Sequence, residues 1–295
     1  MINNRNPYPK VWLGICRMWE DIIPHHHNNG LKDIATIEYA ISRDIIKIDT
    51  SERYVGGKVK ILTEEVIKQF HKDRCFIATK VCEHIFTHDS VINSRMNSFK
   101  ILNTSYIDLY YIHRWNTFAS IEEVVKVFNK FLNMNNIRLI GLGNVGIDIK
   151  IIKKWTLLLN KLIYAAQNQY NFICYKSQRK MAMKYCKRNR IKLIMWRAIM
   201  FLYSRASDLF YCMGIYKLLY EVVVKNKPNV QLAFKWLLQQ YCVPIVFKSS
   251  NKKHLNGILG VENLQLSNED LERLDKKFPV QIDKGYTARA YFELS

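Results

Sequence analysis

Short apolar runs and helix-patterned segments alternate along almost the whole of this chain, and that alternation restricts the fold more than any other feature. Runs that read as strands fall at Val11 to Gly14, Ile45 to Asp49, Cys75 to Val81, Ile107 to Ile112, Ile137 to Leu142, Ile163 to Ala166, Ile191 to Met195 and Val243 to Phe247. Between them lie helical patterns. Leu31 to Ser42 has Ile34, Ile37 and Ala40-Ile41 at helical spacing, and Val59 to Phe70 follows. Asp89 to Leu102 has Asp89 as its N-cap, and Ser120 to Leu132 opens on the capping box Ser120-Ile121-Glu122-Glu123. Asp148 to Leu159, Gln178 to Asn189, Val230 to Gln240 and Lys252 to Leu259 complete the series. Repeated strand–helix units want a parallel sheet covered by helices, and eight of them close into a (β/α)8 TIM barrel. The competing open doubly wound sheet wants a glycine-rich turn after the first strand, and Gly14-Ile15-Cys16-Arg17-Met18 offers none.

Two stretches fall outside the repeat. Ile199 to Leu219, rich in Phe, Tyr and Met, reads as a long loop after strand 7. Ser267 to Lys277 reads as an extra C-terminal helix opened by Ser267-Asn268-Glu269-Asp270. A chain of 295 residues, 49% hydrophobic, can bury one barrel or two smaller domains. The repeat favours one domain over 1–295, with its core at about 9–279 and a tail at 280–295.

Four polar residues stand at or just after the ends of three successive strands: Asp49, Tyr54, Lys80 and His113. In a parallel barrel the carboxyl ends of all strands face one mouth, so these side chains are expected to converge. A phenol beside an ammonium and a carboxylate makes a proton-donating site, and the cation is expected to draw the phenol pKa down from its ordinary value of about 10. Taken singly, each has an ordinary structural reading as a turn former, a half-buried aromatic, a surface cation or a polar strand end. The grouping favours catalysis.

The wording around these residues resembles the aldo-keto reductases. Asp49-Thr50-Ser51-Glu52-Arg53-Tyr54 is similar to that family's strand-2 signature, Ala78-Thr79-Lys80-Val81 to its lysine strand, and Tyr106 to His113 to its histidine strand. Ile137 to Asn144 resembles the segment that meets the nicotinamide amide. Pro244 to Asn251 with His254-Leu255 resembles the strand-8 cofactor loop. The likeness runs from about Pro9 to Pro279, and several motifs in order carry far more than any one. It implies reduction of aldehydes or ketones to alcohols with NADP(H), or the reverse oxidation. Asp49, Tyr54, Lys80 and His113 would be catalytic, with Tyr54 the general acid.

At the cofactor site the chain departs from the family pattern. Gly143-Asn144 stands where Ser-Asn is usual, Gln167 matches a carboxamide-binding position, and Trp196 replaces the stacking Tyr. Arg197-Ala198-Ile199 replaces Ser-Pro-Leu. Lys248, Ser249 and Ser250 match the loop at the 2′-phosphate, and His254 stands where an arginine is common. The basic loop favours NADP(H) over NAD(H); Lys252 and Lys253 read equally well as solvated cations at a helix start. The replaced residues keep open a second reading, a catalytically weak nicotinamide-binding regulatory or interaction subunit of the same fold. Arg114 favours an anionic substrate if it points inward and is a surface cation otherwise.

The formal charge of +20 has its densest cluster between Tyr175 and Arg190. With no nucleic-acid-binding motif beside it, this reads as a solvated helix face, and no nucleic-acid partner is expected. His25-His26-His27 lacks the further ligands of a metal site, so no metal is expected. No apolar run nears the roughly 18 residues of a membrane span, and Met1 to Asn6 lacks a secretory apolar stretch. Seven scattered cysteines without a Cys-x-x-Cys pair fit reduced thiols. The expectation is a cytoplasmic monomer or weak homo-oligomer with a small carbonyl substrate and no membrane partner.

Overall fold

A computed structural model of the chain describes residues 11–16, 29–52, 54, 58–70, 74–81, 88–113, 120–144, 149–169, 184–196, 231, 234–235, 238, 245–247, 252–259, 261, 264–270 and 272. The elements are β1 (Val11–Gly14), α1 (Asn29–Ser42), β2 (Lys47–Asp49), α2 (Lys58–Phe70), β3 (Phe76–Val81), α3 (His88–Leu102) and β4 (Ile107–Ile112). They continue with α4 (Ile121–Asn133), β5 (Ile137–Gly143), α5 (Ile149–Leu158), β6 (Ala165–Gln169), β7 (Lys192–Trp196), β8 (Ile245–Phe247) and α6 (Lys252–Leu259). Each strand pairs in parallel with the next, and β8 returns to β1 through Val11↔Ile245, Trp12↔Val246 and Leu13↔Phe247. The sheet is a closed eight-stranded barrel.

Strand polarity explains two cores. Successive side chains point to opposite faces, and a parallel barrel buries both. In β4, Leu109 and Tyr111 turn inward to meet Trp12, Ala78, Ala165 and Ile194. Tyr110 and Ile112 turn outward to the helix layer, where Tyr110 stacks on Phe128 with centroids 5.8 Å apart. α4 supplies that layer with Val124, Val125, Phe128, Phe131 and Leu132 on one buried face. Its capping box forms as expected: the Glu123 amide donates to Ser120 Oγ at 3.2 Å, and the Ser120 amide donates to Glu123 Oε2 at 3.0 Å.

The helix-to-strand turns share one device. Asp44, Asn103 and Arg190 take left-handed backbone angles (φ 62, 44 and 57°) where a helix hands over to β2, β4 and β7. The next residue's amide reaches five positions back: Ile45 to Ala40 O at 2.9 Å, Thr104 to Phe99 O at 3.2 Å, and Ile191 to Cys186 O at 2.9 Å. These bonds satisfy carbonyls that the helix end leaves open. At the strand starts, Asp108 accepts from the Ile77 amide at 2.9 Å and from Arg138 Nη1 at 3.0 Å, tying β3, β4 and β5 together.

Boundaries differ from the sequence expectation in a few places. α3 starts at His88, so Asp89 lies in its first turn and is not the N-cap; there its carboxylate faces the partly positive helix start. β6 runs Ala165–Gln169 where Ile163 to Ala166 was expected, because Ala165 takes up the register opposite Gly141 and Lys192. Gln167 is thereby a strand residue. Residues 184–188 are helical, as are 231, 234–235, 238, 268–270 and 272. The loop after strand 7 and the tail at 280–295 lie outside the described residues.

Candidate active site

Three consecutive strands deliver charged or titratable groups to the carboxyl end of the barrel. β2 closes on Asp49, the segment after it carries Tyr54, β3 contributes Lys80, and His113 follows β4. Lys80 is 1% exposed, so its ammonium depends on protein partners. Its three hydrogens find three acceptors: Asp49 Oδ1 at 2.5 Å, the Thr50 carbonyl at 2.9 Å and Tyr54 Oη at 3.2 Å. The other carboxylate oxygen of Asp49 accepts from Gln167 Nε2 at 2.8 Å. The Lys80 Nζ also sits 5.1 Å from the Tyr54 ring centroid and 5.8 Å from that of Tyr111. His113 stands edge-on to Tyr54, with centroids 6.2 Å apart and planes at 88°. The four residues singled out from the sequence therefore occupy one site.

The electrostatics depart from expectation at Tyr54. Burial pushes its phenol well above 10, and the Asp49 carboxylate adds to the rise. Cys16, just beyond β1, raises it further, first by its charge and then by accepting the phenol's hydrogen. The ammonium at 3.2 Å does not bring the phenol down, because desolvation and the negative charge behind that ammonium outweigh it. The phenol is protonated at neutral pH, the state a proton donor needs. Nothing in the sequence marked Cys16 for the site; its only signal is its place two residues past the end of β1.

A second cluster stands on β5, β6 and β7. Asn144 takes φ 47°, an αL geometry at a strand end. Its amide donates to the Gln167 carbonyl at 2.8 Å, its Nδ2 donates to the His113 carbonyl at 3.0 Å, and its Oδ1 accepts from Trp196 Nε1 at 3.0 Å. Gly143 has a steric reason. A Cβ there would lie 2.8 Å from the backbone oxygens of both Ile112 and His113, so a serine could not enter without shifting β4. Arg197, Lys248, Ser249 and Ser250 lie outside the described residues; His254 falls in α6, and its side chain is likewise outside them. Lys252 and Lys253 are exposed, Lys252 over the Tyr39 ring at 5.5 Å. Among the described residues no group of three His, Cys, Asp or Glu could hold a metal ion, and His25 to His27 are not among them.

The sequence profile of the Aldo/keto reductase family matches residues 25–278. The chain belongs to this family. It is 23% identical over 293 residues to the methylglyoxal reductase YeaE of Escherichia coli (strain K12), covering 95% of this chain and 94% of that protein. It is 27% identical over 175 residues to the aldo-keto reductase YhdN of Bacillus subtilis (strain 168), covering 56% of this chain and 51% of that protein. The match thus spans about half the length of YhdN. Among solved structures, a thermostable aldo-keto reductase crystallised with the inhibitor epalrestat superposes with a TM-score of 0.79 at 23% identity, covering 94% of this chain and 97% of the other. An aldo-keto reductase from Klebsiella pneumoniae in complex with NADPH superposes with a TM-score of 0.76 at 20% identity, covering 92% and 91%. These similarities agree with the barrel.

The groups present at the mouth of this aldo-keto reductase suit a nicotinamide. Asn144 and Gln167 each carry donor and acceptor atoms matched to a carboxamide, and the Trp196 indole offers a wide π-face beside them. Both side-chain amides already serve protein acceptors, so a bound carboxamide would join or displace those bonds.

Proposed function

We propose that the chain reduces aldehydes or ketones to alcohols with NADP(H), or runs the reverse oxidation, on a small carbonyl substrate. The observation carrying this reading is the Lys80 ammonium held between the Asp49 carboxylate and the Tyr54 phenol. A bound reduced nicotinamide would supply the hydride. Tyr54 would give its proton to the carbonyl oxygen as negative charge develops there. Lys80 would stabilise the phenolate left behind, and Asp49 would hold that ammonium in place. His113, edge-on to Tyr54, would orient the carbonyl through a ring N–H. Asn144, Gln167 and Trp196 would hold the nicotinamide end, with Gly143 leaving the strand ends room to pack. Arg197, Lys248, Ser249, Ser250 and His254 would hold the phosphate end. We read 1–295 as one such domain.

NADP(H) is favoured over NAD(H) by Lys248 and its basic neighbours in the sequence. One observation favours a second reading. The replaced serine and the two amides already bonded within the protein suit a weak nicotinamide-binding subunit of the same fold. Fluorescence titration with NADPH, joined to turnover of 4-nitrobenzaldehyde, separates the two. The enzyme reading expects binding in the low micromolar range, weakened about tenfold by Lys248→Ala, with measurable turnover. Binding without turnover would favour the subunit reading. The absence of any binding would reject both.

A further inference from the structure

Charge is spread unevenly over the helices of this barrel. α1 to α4 together carry eight Lys and Arg against seven Asp and Glu. α5 and residues 184–190 carry seven Lys and Arg and no acid, and all seven are exposed. The two stretches form one face. Trp155 of α5 and Cys186 share a buried cluster, and Lys153 Nζ lies 5.7 Å from the Tyr185 ring centroid. The Lys192 amide donates to the Tyr164 carbonyl at 2.9 Å, so the segments entering β6 and β7 run side by side at the amino end of the barrel. Lys154 pairs with Glu122 of α4 at 2.7 Å, which marks the edge of the basic face.

The same face carries the two most exposed large apolar side chains among the described residues, Leu157 at 84% and Leu162 at 71%. On α5 the exposed residues Lys150, Lys153, Lys154 and Leu157 recur at helical spacing, opposite buried Ile152 and Trp155. A stripe of cations therefore runs into a protruding leucine, with Lys161 and Leu162 just beyond it. Solvation alone accounts for the cations but gives the leucines no role.

We propose that this face docks on a lipid surface rich in anionic headgroups. The lysines and arginines meet headgroup phosphates and carboxylates, and Leu157 and Leu162 enter the acyl boundary. A nucleic acid would use the cations but offers the leucines nothing. No helix among the described residues is long and apolar enough to cross a membrane, so the attachment is peripheral. The sequence expectation of no membrane partner rested on missing spans and does not reach this mode. α5 runs from Lys150 on the mouth side of the barrel to Leu157 at the amino ends of the strands, so the leucine end of this face lies away from the mouth holding Tyr54 and Lys80.

The test uses the full chain with vesicles of phosphatidylcholine alone, vesicles containing about one-third phosphatidylserine, and a mixed-sequence single-stranded RNA. Binding is expected to the phosphatidylserine vesicles and not to phosphatidylcholine alone. Lys153→Glu with Lys187→Glu and Arg188→Glu is expected to weaken it about tenfold or more. Leu157→Ser with Leu162→Ser is expected to weaken it severalfold at unchanged net charge, most visibly at high salt. Lys32→Glu with Lys68→Glu and Lys100→Glu, an equal charge change on α1 to α3, is expected to leave affinity within about twofold. The serine pair sits on exposed positions, so it carries the test if the triple variant lowers the thermal midpoint. Equal loss in both triple variants would reduce the effect to net charge and overturn the proposal. So would no binding to phosphatidylserine vesicles, or RNA binding with vesicle binding unmoved by the serine pair.

Discussion

Two lysines lie in the barrel interior at opposite ends, and their surroundings differ in kind. At the mouth, Lys80 has a carboxylate at 2.5 Å, a carbonyl and a phenol. At the floor, Lys47 at the start of β2 is 2% exposed, with the rings of Trp12 and Phe76 at 5.2 and 5.5 Å and a second amine, Lys192, nearby. Burial first, and then the charge of Lys192, push the Lys47 amine down to about 7. Burial lowers Lys192 as well, although its Nζ donates to Tyr164 Oη at 2.9 Å. A buried cation beside an anion is a built electrostatic device. A buried amine pushed down to about 7 by desolvation and a neighbouring amine is a cost that the rest of the barrel offsets.

This contrast makes the two ends separable by mutation. The largest effect belongs to the mouth. Lys80→Met removes the ammonium between acid and phenol and leaves Asp49 buried beside Gln167, so turnover is expected to fall about a thousandfold; steady-state rates with NADPH and 4-nitrobenzaldehyde check it. At the floor the same substitution reverses sign. Lys47→Met replaces a disfavoured charge with an apolar chain of similar length, and denaturant unfolding at pH 7 is expected to show a gain of about 2 kcal/mol. Loss of stability there would mean that Lys47 makes a bond worth more than its desolvation.

The floor also sets a pH dependence. The folded chain releases the Lys47 proton near pH 7, the unfolded chain near 10.5. Between these values the unfolded state holds more protons, so this group makes stability rise with pH; below about 7 its penalty is constant. Unfolding free energies measured from pH 6 to 9 should climb above pH 7 in the wild type and climb less steeply in Lys47→Met, where buried Lys60, pushed down to about 8, still contributes at the upper end.

A smaller effect lies behind the mouth. Ser94 of α3 donates to Glu52 Oε2, and its Oγ lies 3.2 Å from Tyr110 Oη. Lys60 Nζ donates to Ser98 Oγ at 2.8 Å. This buried chain holds the segment between Asp49 and Tyr54, so Ser94→Ala is expected to cost about 1–2 kcal/mol of stability, read by the urea midpoint. The smallest belongs to a surface cap: Ser120→Ala should cost about 1 kcal/mol by the same measure.

The two ends also differ in how legible they were. The barrel followed from local signals, since a capping box or an apolar run announces itself within a few residues. Asp49, Tyr54, Lys80 and His113 stood out because polar groups follow apolar strands and family wording surrounds them. The bond from Gln167 to Asp49 joins residues 118 positions apart and leaves no pattern in either neighbourhood. Trp196 and Asn144 were read as separate cofactor contacts, and their bond to each other depends on the turn that puts Asn144 at positive φ. Lys47 shares a strand face with Asp49, but the Trp12 and Phe76 rings and the Lys192 amine around it come from other strands and leave no mark in its own neighbourhood. The direction of the Tyr54 shift was missed for the same reason: a sequence names charges but not their desolvation.

The central claim is that the Tyr54 phenol supplies the proton in a nicotinamide-dependent carbonyl reduction. Tyr54→Phe tests it most directly, by single-turnover reduction of 4-nitrobenzaldehyde alongside NADPH titration of the same preparation. The account predicts a cofactor affinity within about threefold of wild type and a rate lower by about a hundredfold or more. An unchanged rate would contradict it.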